Sequence, residues 1–176
     1  MKNTMKKTIA LLLLFVVALS TLVSCGTPET TPSVVFGFKT TDGASEYNES
    51  IDAFEIGKDF YTCIKVKLVT DEKSNYDFTV VVEVPKTKDI EVDQTGGKNA
   101  DSVVWDEQNE KTVLTFTIQG SKEAVEEKIM FKGTPTGEGS AKMTVKIYDQ
   151  DGVEIGTGYL ERYSLSTNCR NDYDKI

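Results

Sequence analysis

From Ser33 onward, apolar residues recur at every second position and do not settle into helical spacing. Between positions 59 and 70, Phe60, Ile64, Val66 and Leu68 fall on one face, with Lys65 and Lys67 on the other. Tyr76, Phe78, Val80, Val82 and Val84 repeat the pattern up to Pro85, and Leu114, Phe116 and Ile118, then Met143, Val145 and Ile147, repeat it again. A period of two is the period of the β-pleat, so each stretch can bury one face and leave the other in water. Shorter strands are predicted over 34–39, 53–56, 90–92, 103–105 and 129–132, and a last one over 154–165.

Turn-forming residues separate these stretches: Thr41-Asp42-Gly43, Glu72 to Asn75, Thr95-Gly96-Gly97, Gln108-Asn109-Glu110 and Gln150-Asp151-Gly152. Strands spaced at about ten residues predict an all-β fold, an antiparallel two-sheet sandwich with one wet and one buried face per sheet. Only Ser121 to Glu127 reads as helical, a single turn with Ser121 as N-cap and acids behind it. There is no internal repeat and no long linker, so 34–168 is expected to be one domain.

The first residues follow different rules. Lys2, Lys6 and Lys7 precede an apolar run from Ile9 to Leu19, too short to cross ~30 Å of hydrocarbon as a mature helix. Leu22-Val23-Ser24-Cys25 comes next, with a small residue before the cysteine. This order resembles the signal peptide and lipobox of bacterial lipoproteins. The resemblance implies a signal-peptide helix over 1–24, a diacylglyceryl thioether (palmitate-type acylation) on Cys25 and an extracytoplasmic, membrane-anchored protein at the cell surface. Gly26 to Pro32 reads as a polar tether, so 25–33 is the expected lipidated linker.

Removing residues 1–24 takes away three lysines and no acid, which moves the net charge from −8 to −11. A chain this acidic lacks the clustered cations that phosphate binding needs, and nucleic acid is not an expected partner. The sequence holds no histidine. That removes imidazole bases, Ser-His-Asp and Cys-His nucleophiles and His-containing zinc sites. Chemistry by two carboxylates is left formally open, but no nucleophile motif, phosphate loop or metal-spaced cluster is present. The expectation is no enzyme and no cofactor.

Phe131-Lys-Gly-Thr-Pro-Thr136, Gly139, Met143 to Tyr148 and Asp149-Gln-Asp-Gly152 together resemble the closing strands of bacterial immunoglobulin-like and cadherin-like modules. The resemblance covers roughly 25 residues and implies an immunoglobulin-like sandwich with a role in binding, adhesion or envelope structure. Its partners would be an envelope protein or a polysaccharide. Cadherin-like modules bind calcium through loop carboxylates, which makes Asp149 and Asp151, with Asp172 and Asp174 in the tail (169–176), weak calcium candidates. A hairpin turn and a solvated acidic tail account for the same residues.

With Cys25 acylated, Cys63 and Cys169 remain. Cys63 alternates with Ile64 and Val66 and therefore shares the outward phase with Lys65. A bridge to Cys169 would staple the tail across the outer face, and two free thiols are the alternative. Trp105, Tyr148, Tyr159 and Tyr163 are the candidate stacking aromatics for a carbohydrate ligand, with Trp105 also readable as a core residue.

Overall fold

The computed structural model describes residues 30–49, 51–70, 77–121, 124–159 and 163–166. Twelve strands make up its regular structure: β1 (Thr30–Lys39), β2 (Ala53–Glu55), β3 (Phe60–Thr70), β4 (Asp77–Pro85), β5 (Thr87–Val92), β6 (Ser102–Asp106), β7 (Lys111–Gln119), β8 (Val125–Pro135), β9 (Gly139–Ala141), β10 (Thr144–Tyr148), β11 (Glu154–Tyr159) and β12 (Tyr163–Ser166). No helix occurs among the described residues.

The period-two pattern becomes two facing sheets. One has the order β1-β3-β8-β5, the other β11-β10-β4-β7-β6, and every pair within them is antiparallel. Inward residues of the first sheet, among them Phe38, Ile64, Val66, Leu68 and Ile129, meet Val80, Val82, Leu114, Phe116, Ile118 and Val145 of the second. Each of these is at most 1 % exposed. Burying one such side chain stabilises the fold by roughly 1.5–3 kcal/mol.

The architecture exceeds the expected two sheets. A third sheet of order β2-β12-β9 closes one end of the sandwich, and its β2–β12 pair is parallel. It brings Phe54 and Leu165 into the core. Phe54 stacks on Phe60 with ring centroids 4.2 Å apart and meets Phe38 edge-on at 5.6 Å. The predicted 154–165 strand is thus two strands in different sheets, because its second half leaves β10 to pair with β2 and β9.

Two further expectations are corrected. The second half of the predicted helical turn is strand: β8 starts at Val125, and Val125, Glu126 and Glu127 pair with Leu68, Lys67 and Val66, while residues 122 and 123 lie outside the described residues. The long β3 offers a full ladder of partners, which outweighs the weak helix signal of a few acids. The predicted tether also ends earlier, because Thr30 to Ser33 belong to β1 and pair with residues down from Thr70. The signal peptide, Cys25, the 72–75 turn and the tail lie outside the described residues.

The two ends of the sandwich differ. β1 runs from Thr30, beside Thr70, to Lys39, about 30 Å away at the strand rise. The Asp149–Gly152 hairpin lies at the Thr30 end, since Gly158 and Gly156 of β11 run along Val34 and Pro32 toward Thr30 and Tyr148 pairs with Glu154 at the start of β11. There Gly152 takes φ +77°, as the turn predicted around Asp151-Gly152 requires.

Candidate ligand-binding surface

Across the outer face of the four-stranded sheet, register brings Lys39, Tyr61, Lys132 and Glu91 into one row. The row has this composition because outward positions of β1, β3, β8 and β5 alternate with the core residues beside them. Lys132 Nζ lies 2.9 Å from Glu91 Oε2 and 3.8 Å from Asp59 Oδ2. The hydrogen bond to Glu91 raises the Lys132 pKa, and the two carboxylates add to the effect.

A loop completes the surface. After β1 the chain turns back, and Phe38 and Asn48 form an isolated bridge. This lays Tyr47 over Gly37, where an added Cβ would stand 2.9 Å from Tyr47 Cβ. Lys39 then sits between two rings, its Nζ 4.9 Å from the Tyr47 centroid and 5.6 Å from that of Tyr61. The same ammonium donates to the carbonyls of Asp42 and Ala44. On the far side Asp93 Oδ1 accepts the Thr95 hydroxyl and the Thr95 and Gly96 amides, which lowers its pKa. The result is a cleft of about 350 Å³ lined by Lys39, Asp42, Tyr47, Tyr61, Asp93 and Lys132, among others. Burial pushes the Tyr47 hydroxyl pKa up, helped by the nearby Cys63, Asp93 and Asp42. Tyr47 therefore stays a neutral donor at physiological pH.

Cys63 holds the outward phase expected of it, yet it is only 8 % exposed. Its ladder partners are Gly37 and Met130, and the loop that carries Tyr47 covers this part of the sheet. Burial raises the thiol pKa, partly offset by Lys128 and Lys65. The thiol is free, and Cys169 lies outside the described residues.

The aromatic candidates from the sequence do not form one platform. Trp105 is half-buried at the far edge of the five-stranded sheet, with Lys88 Nζ 5.7 Å from its ring centroid. Tyr148 lies on that sheet's outer side and lines a shallow depression with Asp77, Thr79, Thr117 and Asp149. Tyr159 pairs with Thr144, about 13 Å along β10 from Tyr148, and Tyr163 pairs with Ala141 in the third sheet. Among the calcium candidates, Asp149 accepts the Asp151 and Val153 amides with Oδ1, the behaviour of a turn residue. Among the described residues no three His, Cys, Asp or Glu side chains stand close enough to hold a metal. Tyr61 could have been singled out from its alternation with Cys63 and Lys65. Tyr47 could not, because nothing local says that its loop folds back over Gly37.

No family model matches the sequence, and no curated protein matches it. Among solved structures, the chain is similar to the CARDB domain of a Pyrococcus furiosus protein solved in complex with di-metal ions. The identity there is 16%, 78% of this chain and 96% of that one are covered, and the TM-score is 0.42. It is also similar to the major pilin SpaA of Corynebacterium diphtheriae, at 12% identity over 75% of this chain and 38% of the pilin, with a TM-score of 0.48. The C-terminal domain of the Streptococcus pyogenes antigen I/II-family protein AspA matches at 7% identity over 76% of this chain and 46% of that one, with a TM-score of 0.47. The chain thus spans less than half of the pilin and AspA chains. Likeness at this level says nothing of what this chain binds.

Proposed function

We propose that this chain is a bacterial lipoprotein whose acylated Cys25 holds a non-catalytic, immunoglobulin-like sandwich at the outer side of a membrane for binding, adhesion or envelope structure. The observation that carries the reading is Leu22-Val23-Ser24-Cys25, placed behind a cationic start and an apolar run. β1 begins at Thr30, so four residues separate it from Cys25 and span at most about 15 Å. An anchor there would put the Thr30 end against the lipid and point the Lys39 end, with its cleft, away from it. Each buried CH₂ of an acyl chain contributes ~0.8 kcal/mol, so two or more chains hold firmly.

Metabolic labelling with an alkyne palmitate tests the anchor. Wild type is expected to carry the tag and sediment with membranes, while Cys25→Ser loses the tag and becomes soluble. Equal labelling of both overturns the reading.

Carbohydrate recognition is a second reading, favoured by the Tyr47–Tyr61 cleft rather than by the aromatics singled out in the sequence. Two rings with Asp42, Glu91 and Asp93 around them offer stacking faces and hydroxyl acceptors together. The expected result on a glycan array is binding that Tyr61→Ala removes and Trp105→Ala leaves intact. No bound glycan, or equal signals from Tyr61→Ala and wild type, removes this reading.

A further inference from the structure

The edge strand β6 stands apart from the other edges of the two facing sheets. β1 and β11 lie against each other at one side of the sandwich, and β5 carries Lys88, Asp89 and Glu91 along its length. β6 reads Ser-Val-Val-Trp-Asp, with no lysine and no proline to discourage pairing. Its inner neighbour is β7, and no strand lies beyond it among the described residues. Four large hydrophobics are exposed among the described residues, and two of them are consecutive here: Val103 at 44% and Val104 at 56%. Val103 pairs with the buried Leu114 and Val104 with the outward Val113, so the edge shows apolar surface on both faces at once. An added strand would cover both.

The occupant is constrained by charge. Two copies of β6 pairing antiparallel about Val104, the strand's middle residue, would set Asp101 of each against Glu107 of the other. A slip by one residue would set Asp101 against Asp106. Like charges directly opposite destabilise a strand pair, and a chain of net charge −8 adds general repulsion between copies. Both acids are fixed in place: Asp106 accepts the Gln108 and Asn109 amides, and Asp101 accepts the Thr117 hydroxyl. The edge is guarded against itself and open to a strand of opposite charge.

We propose that β6 is a docking edge that accepts one extended segment of another protein, antiparallel, with β-branched residues at its centre and Lys or Arg at both ends. Backbone hydrogen bonds would supply affinity and the two acids register. The proposal does not depend on the lipid anchor or on the glycan cleft.

Trp105 is the chain's single tryptophan and lies in β6, so its emission reports directly on the edge. The full detergent-extracted chain is titrated with two synthetic peptides, Lys-Thr-Val-Val-Thr-Lys and Glu-Thr-Val-Val-Thr-Glu. The lysine peptide is expected to shift Trp105 emission saturably and to weaken as salt rises from 0.05 to 0.5 M, with the glutamate peptide about tenfold or more weaker. Val104→Lys is expected to weaken the lysine peptide about tenfold through like charge, while Val104→Thr keeps binding because the branched β-carbon remains. Equal binding of both peptides, binding of neither, or unchanged binding by Val104→Lys overturns the proposal. A dimer in sedimentation that Val104→Lys dissociates also overturns it, since the occupant is then a second copy.

Discussion

The two sides on which the sheets meet solve the same problem in opposite ways. On one side β1 crosses β11 so closely that no side chain fits between them: an added Cβ would stand 2.1 Å from Pro32 Cγ at Gly156 and 2.5 Å from Val34 Cβ at Gly158. On the other, the sheets are joined through side chains. Thr112 Oγ1 of β7 donates to the Thr87 carbonyl of β5 at 2.5 Å, and Lys88 covers Trp105. Thr87 pairs with Pro135, which has no N–H to give, so the threonine hydroxyl supplies the donor that the ladder lacks. A side closed by backbone contact leaves no free edge. A side tied by a few side chains leaves β6 exposed, and an exposed edge is where a partner strand can add.

The largest expected effect comes from opening the sealed side. Gly158→Val or Gly156→Val should destabilise by about 3 kcal/mol or more, since backbone must move to admit the side chain. For a domain of this size that lowers Tm by roughly 6–12 °C in a thermal melt followed by circular dichroism. An unchanged Tm for both would mean that the two strands do not approach as described.

The next test uses one chemical change at two sites. Thr112→Val strands the Thr87 carbonyl and should cost roughly 1–3 kcal/mol. Thr62→Val should act in the other direction, by up to about 1 kcal/mol, because Thr62 Oγ1 is buried without a hydrogen-bond partner. Denaturant midpoints at constant slope read both, and equal signs would break the distinction between a hydroxyl that ties two sheets and one that ties nothing.

Smaller effects follow on the exposed side. Lys88→Ala should lose about 0.5 kcal/mol and red-shift Trp105 emission as water reaches the ring. At the end of β6, hydrogen bonds from Asn109 and Gln108 hold the Asp106 pKa below its ordinary value. A depressed carboxylate contributes stability above its unfolded pKa of ~3.9 and loses it as pH falls through the folded value. Asp106→Asn should therefore lie below wild type in Tm at pH 6, and the gap should narrow below about pH 4. A constant gap from pH 6 to pH 2 contradicts the assignment.

Ten of the twelve strands among the described residues each overlap, at least in part, a predicted strand of their own, because an inward Phe116 or Val80 advertises its face through its neighbours at two-residue spacing. β9 and the separate β12 were not legible. They are short, and β12 exists because β2 and β9 lie beside it, which no local pattern encodes. Of the candidate cleft, Tyr61 and Lys132 could be placed outward from their own strands. The row that joins them to Lys39 and Glu91 is a matter of register across four strands.

The sequence by itself determined the all-β class, the faces of the long strands, the Asp149–Gly152 turn and the exclusion of imidazole chemistry. Periodicity, turn residues and composition are properties of the chain before it folds. Only the tertiary structure decided that Cys63 is covered, that Tyr47 and Tyr61 line one cleft on either side of Lys39, that Gly156 and Gly158 close one side, and that β6 is left free. Each of these depends on which strands become neighbours, and neighbours far apart in the chain are chosen by packing the whole core.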